Sequence, residues 1–316
     1  MTNRVLVTGG AGFIGSHVAD RYVAEGFEVT ILDDLSSGRV ENVPDEAEFV
    51  QADIGSDEAR RLLEAGGFSV LNHHAAQMDV RVSVNNPMFD ARTNVLGLLN
   101  LLEGARTGGV ERVVFASSGG VVYGESEDLP HPETAPKLPV SPYGVSKLTS
   151  EYYLAAYALI HGMRSVSLRY ANVYGPRQNP HGEAGVVAIF GSRLKRNEGL
   201  TVYGEGKQTR DYVYVEDVVA ANMAATRWDP PAVASLDDLA FNVGTASETS
   251  VNELARAMID AAGVTVDVSH VDARPGELQR SAVAIGRAAR EWGWKPRFAL
   301  EQGLKRTYEW IAEEVA

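Results

Sequence analysis

The sequence predicts an α/β fold: a doubly wound parallel sheet with a smaller lobe interleaved in its carboxy-terminal half. Three observations carry the prediction. Short β-branched runs alternate with amphipathic stretches, early strands such as Val5–Val7 and Val113–Phe115 are apolar throughout, and this rhythm breaks after about Tyr174. Alternation of strand and helix implies βαβ units with right-handed crossovers. Strands apolar on both faces need helices on both sides of the sheet.

In chain order the strand-like runs are Arg4–Thr8, Glu28–Leu32, Glu48–Gln51, Ser69–Asn72, Arg112–Ala116 and Arg164–Arg169. Between them, helical periodicity runs through Gly12–Glu25, Asp57–Ala65, Met88–Arg106 and Tyr143–His161. Beyond Tyr174 a loop rich in Pro, Gly and charge spans Gly175–Gly185, then come a helix, a strand at Leu200–Tyr203 and a loop ending at Arg210. A helix from about Glu216 and a strand at Phe241–Val243 return to the main sheet; from about Ser250 the pattern is helix, strand and two further helices. Residues 1–174 with about 212–246 are therefore expected to form one domain, and 175–211 with 247–316 a second lobe. The cleft between them is the expected ligand site.

The 316 residues are 45% hydrophobic and 22% charged, an ordinary soluble composition. Cysteine is absent, which excludes disulfides, thiolate nucleophiles and thiolate metal sites. The seven histidines lack metal-ligand spacing, and the adjacent His73 and His74 are expected to point apart, so no metal is expected. No basic stretch followed by an apolar run opens the chain, and no apolar run approaches the roughly 20 residues needed to span a bilayer, so a cytoplasmic location is expected. The net charge of −13 argues against nucleic acid or an anionic membrane as partner. An anionic ligand would have to be met by locally gathered arginines.

Thr8-Gly9-Gly10-Ala11-Gly12-Phe13-Ile14-Gly15 follows the first strand and opens the first helix. It satisfies G-x-G-x-x-G at Gly10, Gly12 and Gly15, and G-x-x-G-x-x-G at Gly9, Gly12 and Gly15. Residues without Cβ make the tight turn, admit a pyrophosphate to the backbone and let helix and strand pack closely. The pyrophosphate then meets N–H groups at the positive end of the helix. Asp33 ends the second strand 18 residues after Gly15. A carboxylate there accepts from an adenosine ribose and repels a 2′-phosphate, which favours NAD over NADP in a Rossmann-type site. Asp53, just past the third strand, adds to the pattern.

Ser141-Pro142-Tyr143-Gly144-Val145-Ser146-Lys147 places Tyr-x-x-x-Lys at the start of a helix. Spacing i, i+4 puts both side chains on one face, about 5–6 Å apart at Cβ. A tyrosine of ordinary pKa ~10 is a poor base at neutral pH. A neighbouring ammonium and a positive nicotinamide both favour its phenolate.

These motifs, with Ala116-Ser117-Ser118-Gly119-Gly120-Val121-Val122-Tyr123-Gly124 between them, resemble those of the extended short-chain dehydrogenase/reductases, and within them the UDP-glucose 4-epimerase group. The resemblance spans nearly the whole chain and includes Leu32-Asp33-Asp34-Leu35-Ser36-Ser37-Gly38, His74-Ala75-Ala76-Gln77, Thr93-Asn94-Val95-Leu96-Gly97, Arg169-Tyr170-Ala171-Asn172-Val173-Tyr174-Gly175-Pro176-Arg177 and Arg210-Asp211-Tyr212. Arg274-Pro275-Gly276-Glu277 closes it. It implies an NAD-dependent enzyme that inverts C4 of a UDP-hexose through a transient 4-keto sugar. Tyr143 would take the proton of the sugar 4-hydroxyl, and Lys147 would hold the nicotinamide ribose. Cofactor contacts are implied for Gly9, Gly12, Phe13, Ile14, Gly15, Asp33, Asp34, Ser37, Gly38, Asp53, Ile54, His74, Ala75, Ala76, Gln77, Asn94, Ser117, Tyr143, Lys147 and Tyr170.

One departure concerns the hydroxyl that many relatives carry four residues before the Tyr-Gly of this motif: here that position is Gly119. Either Ser118 reaches the sugar through a shifted loop, or Tyr143 contacts it directly. For the substrate, the resemblance implies contacts from Ser118, Gly119, Tyr143 and Asn172, with Arg210 and Arg274 on the diphosphate. It also implies Glu277 on the ribose, and Val187, Phe190 and Tyr203 framing the uracil. Ser281 stands where a bulky side chain in relatives excludes N-acetylated sugars, so UDP-GlcNAc and UDP-GalNAc are expected substrates beside UDP-glucose and UDP-galactose. Tyr152, Tyr153 and Tyr157 are expected to pack, Arg193–Arg196 to form a solvated helix face, and the family's helices near Asn94–Arg106 and 143–161 to form a homodimer.

Two alternatives stay in view. A nucleotide-sugar 4,6-dehydratase or a UDP-glucuronate decarboxylase or epimerase shares the scaffold. A dehydratase, however, needs an acid–base pair where Gly120-Val121 stand. A non-catalytic NAD-binding scaffold would differ in class, but such relics lose the Tyr or the Lys, and this chain keeps both.

Overall fold

The computed structural model describes residues 3–180, 185–273 and 278–314. The first half runs β1 (Arg4–Thr8), α1 (Phe13–Ala24), β2 (Glu28–Asp33), β3 (Glu48–Gln51), α2 (Asp57–Gly66) and β4 (Val70–His73). Short helices α3 (Val80–Asn85) and α4 (Pro87–Ala91) follow, then a π-helical turn at Arg92–Leu96, α5 (Gly97–Thr107), β5 (Arg112–Ser118), α6 (Pro142–His161) and β6 (Arg164–Tyr170). The second half contains β7 (Asn172–Tyr174), α7 (Val186–Lys195), β8 (Leu200–Tyr203), β9 (Thr209–Arg210), β10 (Tyr212–Tyr214), α8 (Val215–Arg227) and β11 (Ala240–Val243). It closes with β12 (Thr249–Ser250), α9 (Val251–Ala262), β13 (Val268–Val271), α10 (Gly286–Trp292) and α11 (Leu300–Glu313).

Seven parallel strands form the main sheet in the order β11-β6-β5-β4-β1-β2-β3. The chain winds outward from β1 in both directions, so the switch point lies between β1 and β4, where α/β sheets bind ligands at strand carboxyl ends. The two-residue period divides the strands between two cores. Val5, Val7 and Ile31 pack on one face with Val18, Tyr22, Val218 and Phe241. Leu6, Leu32, Leu71, Val113 and Phe115 pack on the other with Leu63, Leu98, Leu101 and Leu154. A third cluster joins Val187, Phe190, Leu194, Leu200, Val202, Leu254, Met258 and Leu304 in the second lobe.

The helix ends follow their sequence signals. Ser56 caps α2 by accepting from Ala59 N, and Gly67 ends it in the left-handed region at φ 62°. Ser141 caps α6 through Gly144 N, Pro142 occupies the first turn, and Gly162 closes the helix at φ 68°. Ser250 and Glu253 form a reciprocal capping box on α9.

One departure from expectation and one local surprise shape the site. The helix expected over Met88–Arg106 is instead α4, a π-helical turn and α5. The extra residue of the π-turn carries Asn94 inward, where it is buried. Val80, Val82 and Val84 alternate like a strand, yet Asp79 accepts from Arg81 N and Val82 N and starts α3. Beyond β6 the chain adds a small parallel pair, Asn172–Tyr174 with Tyr212–Tyr214, in which Asn172 N donates to Asp211 O, while Arg210 pairs antiparallel with Thr249.

Candidate active site

The glycine loop closes on itself too tightly for side chains. Gly9 has φ +68°, and a Cβ there would lie 2.6 Å from Ala75 N. A Cβ on Gly15 would stand 2.2 Å from Gly9 O. Gly12 precedes α1 without a side-chain cap and without an acidic residue in the first turn, so the helix presents its first N–H groups and its positive end outward. Asp33 lies beneath this loop, accepting from Ala11 N at 3.0 Å and Leu35 N at 2.9 Å; burial raises its pKa from the ordinary carboxylate value. Gly38 crosses so close that a Cβ would sit 2.8 Å from Asp33 Oδ1. Glycine cradle, uncapped helix end and adjoining carboxylate fit the diphosphate and ribose of a dinucleotide.

Around this centre, Asp34 holds the turn at Ser36, Ser37 is exposed, and Asp53 accepts from Gly55 N at 2.6 Å. Ile54 is buried against Gly97, and Phe13 and Ile14 open α1 half-buried. Thr8 Oγ1 meets His73 Nδ1 at 2.6 Å and accepts from Ala75 N at 3.3 Å, fixing the chain after β4; Ala76 follows half-buried. Gln77 and Asn94 bond reciprocally: Gln77 N donates to Asn94 Oδ1 at 2.9 Å and Asn94 Nδ2 to Gln77 O at 2.8 Å. His74 stacks on Tyr170 with ring centroids 6.3 Å apart, and Tyr170 OH accepts from Asn222 Nδ2. His73 turns the other way, against Phe115. Burial, with Lys147 nearby, takes His73 well below its usual range and His74 down to about 3, so both rings are neutral.

Tyr143 and Lys147 lie on the inward face of α6, Tyr143 half-buried in the first turn where the helix end carries partial positive charge. Lys147 is 3% exposed. Its Nζ donates to Ala116 O at 2.8 Å and stands 5.7 Å from the centre of the Tyr143 ring and 4.7 Å from that of Phe115. Desolvation lowers the ammonium to about 8, with Asp90 and Glu151 opposing. Near neutrality a cation therefore sits beside the phenol at the carboxyl end of β5. Ser118 ends that strand. A Cβ on Gly120 would be 3.8 Å from Ser118 Oγ and 3.9 Å from Asn172 Oδ1, so both groups border the space in front of Gly120.

The sequence profile of the NAD dependent epimerase/dehydratase family matches residues 5–244. The chain belongs to this family. It is 45% identical over 313 residues to the UDP-glucose 4-epimerase of Mycolicibacterium smegmatis, covering 98% of each chain. It superimposes on the UDP-glucose 4-epimerase of Thermotoga maritima, solved with UDP-glucose, at a TM-score of 0.93, with 42% identity and 98% of each chain covered. The Thermus thermophilus UDP-glucose 4-epimerase, solved with NAD, gives 0.92 and 42% over 99% of this chain and all of that one.

Within this family frame some expected residues fall elsewhere. Ser117 shares strand parity with Phe115, so it faces α6; its Oγ donates to Glu151 and is buried. The hydroxyl expected toward the cofactor is thus committed to an internal contact. Asn94 likewise spends its amide on Gln77 and Asp90, so it shapes the cofactor loop. Val187 and Phe190 are 1% and 2% exposed in the core of the second lobe, and Val187 lines a cavity of about 30 Å³ with Asn172. Tyr203 is partly exposed at the end of β8, and Arg210 Nη1 donates to Thr209 O at 2.7 Å. Arg274 and Glu277 lie outside the described residues.

Gly119 is closed to any side chain as the structure stands: a Cβ there would be 2.8 Å from Val283 Cγ1 and 3.0 Å from Arg169 O. Ser281 is buried, two residues before Val283. Tyr157 OH donates to Glu103, whereas Tyr152 and Tyr153 are exposed on the single chain. Lys195 bonds the carbonyl of Ile311 and Arg193 that of Gly199, so the basic cluster on α7 is partly structural.

Sequence reasoning passed over four buried groups behind the site. Glu151 stands one turn beyond Lys147 and accepts from Ser117 and from Arg169 at 2.7–3.2 Å. Arg169 also donates to Tyr123 OH and Glu133 O. Asp90 and Ser146 meet at 2.5 Å. The available signal was spacing: Asp90 precedes Asn94 by one turn, and Glu151 follows Lys147 by one turn, both on inward faces. Among the described residues there is no cluster of His, Asp or Glu able to hold a metal and no helix long and apolar enough to cross a membrane.

Proposed function

We propose that this chain is an NAD-dependent epimerase that inverts C4 of a UDP-hexose, with UDP-glucose and UDP-galactose as its principal pair. The observation that carries the reading is the buried Lys147 ammonium 5.7 Å from the Tyr143 ring, beside a glycine cradle backed by Asp33. Residues 1–174 with about 212–246 would hold the cofactor, and 175–211 with 247–316 the sugar nucleotide. Bound NAD supplies reversible two-electron oxidation of the C4 carbinol and ends each turnover unchanged.

The chain's own groups then do the following. Tyr143 takes the proton of the sugar 4-hydroxyl and returns it to the same oxygen once the 4-keto sugar has turned over in the pocket to present the opposite face of C4. Lys147, positive near neutrality, stabilises the phenolate while its bond to Ala116 O keeps it in place. His73 and His74, held neutral, add no competing charge. Ser118 and Asn172 border the space at Gly120, from where Ser118 would bond the sugar hydroxyl and Asn172 the diphosphate–sugar region. Arg210 and Arg274 meet the diphosphate, offsetting the repulsion of a chain with net charge −13. The small Ser281 extends the substrates to the acetamido pair. The exposed Met88, Phe89, Leu96, Tyr152, Leu159 and Ile160 on the α4–α5 and α6 faces support a homodimer through those helices.

The test is to incubate purified protein with UDP-galactose alone, add no cofactor, and resolve the C4 epimers chromatographically. A mixture containing UDP-glucose is expected. Unchanged sugar across a panel of UDP-hexoses, with NAD still bound, would instead support a non-catalytic dinucleotide-binding protein.

A further inference from the structure

We propose that Asp90 is a positioning residue for the Tyr143/Lys147 pair: a buried carboxylate that serves as the counter-charge of Lys147 and ties the catalytic helix to the loop after β4. The proposal deepens the reading above and rests on it.

Asp90 lies on α4 and is fully buried, and among the described residues it forms no ion pair. Three side-chain donors converge on it. Ser146 Oγ donates to Oδ2 at 2.5 Å, while Asn94 Nδ2 and Gln77 Nε2 both donate to Oδ1 at 3.0 Å. A carboxylate is acceptor-only and satisfies all three; an amide could keep the two bonds at Oδ1, with the Ser146 hydroxyl turning to accept, but would carry no charge. Each partner belongs to a different part of the site. Ser146 immediately precedes Lys147 on α6, Asn94 comes from the π-helical turn, and Gln77 belongs to the loop whose backbone closes on Gly9. Ser150 Oγ, one turn further along α6, adds a bond to Asn94 O at 3.3 Å. A shift of Asp90 would therefore move helix and loop together.

The charge argument comes from what surrounds Lys147. Strand β5 offers the Phe115 ring and Ala116 O, and α6 itself offers Tyr143 and Glu151. The end of β4 offers His73 and His74, both neutral, and α4 offers Asp90. Glu151 is already matched by Arg169, with Nη2 to Oε2 at 2.7 Å. Among the described residues no cation forms an ion pair with Asp90, so its charge remains for Lys147. Consistent with this, Asp90 comes first among the charges that hold the Lys147 ammonium up against desolvation. A buried carboxylate lacking a cation is costly, and a buried ammonium lacking an anion equally so; together they offset each other.

Two variants separate charge from connection. D90N removes the charge at nearly constant shape, whereas S146A removes the link to α6 and keeps the charge. In holoenzyme carrying 13C-labelled lysine, the Lys147 signal, identified by its absence in K147R, should titrate about one pH unit lower in D90N than in wild type. The alkaline limb of kcat should move with it, while S146A leaves both where they are. An unmoved Lys147 titration in folded D90N would overturn the proposal. So would S146A moving it as far as D90N, because the carboxylate charge would then add nothing beyond the tie to α6. The lysine titration needs no turnover, so it reads this coupling even if the chain proves not to epimerise sugars, a result that would count against the catalytic reading alone.

Discussion

Replacing Lys147 with Met should change how stability depends on pH in a direction the structure fixes. Burial lowers this ammonium from 10.5 to about 8 in the folded chain. That drop corresponds to about 3 kcal/mol favouring loss of the proton, at ~1.4 kcal/mol per pH unit. Below pH 8 the folded and unfolded chains both hold the proton, and the cost of the buried charge is fully present. As pH rises through 8 the folded chain releases it while the unfolded chain keeps it to about 10.5, so wild-type stability gains from this group. Between pH 8 and about 9.5 the gain is ~2 kcal/mol. K147M lacks the group, and with Tyr143→Phe placed in both proteins, so that the one phenol beside Lys147 is removed, the remaining tyrosines that titrate at higher pH cancel. Urea unfolding followed by tryptophan fluorescence, at matched m values, should therefore show the wild-type-minus-variant difference rising by ~2 kcal/mol over that range. Only the slope is at issue, because K147M also leaves Asp90 without its counter-charge. A difference flat to within about 0.5 kcal/mol would show that Lys147 is not desolvated as described.

Three further outcomes are expected. R169M strands the buried Glu151 and should cost about 3–5 kcal/mol in urea unfolding, while the double variant with E151M recovers most of it; equal losses in single and double variants would deny the pairing. G119S, which restores the hydroxyl position of many relatives, meets Val283 Cγ1 and should lose about 1–3 kcal/mol of stability, with V283A relieving it. Wild-type stability in G119S would mean that the strand end yields more readily than its packing implies. S118A should lower kcat about tenfold or more in a coupled epimerase assay, and a fall of less than about twofold would leave Tyr143 contacting the sugar unaided.

Much of the fold was legible because one physical constraint repeats along the chain. A strand covered on both faces must be apolar at both parities, and Val5, Leu6 and Val7 satisfy this in three consecutive residues. The glycine loop was equally plain, since no side chain can stand 2.2 Å from a carbonyl oxygen. What escaped depends on contacts distant in sequence. A 3.6-residue pattern continues smoothly across Arg92–Leu96 and gives no sign of a π-turn that rotates Asn94 inward. Val80, Val82 and Val84 imitate a strand until Asp79 caps their helix. The opposite facing of Ser117 and Ser118 was recoverable by counting parity from Phe115, but only once α6 was known to cover that face. Beyond its spacing from Asn94, nothing in the local sequence marks Asp90; three donors from separate segments make it a core carboxylate.

The central claim is that a single phenol begins and ends the exchange at C4, and Tyr143→Phe tests it most directly. Purified variant and wild type are each given one UDP-sugar, the C4 epimers are resolved, and the dinucleotide released on denaturing each protein is quantified. The account predicts full occupancy by NAD and loss of epimer formation by about a hundredfold or more in the variant. Epimer formation at the wild-type rate, with the cofactor equally retained, would contradict it.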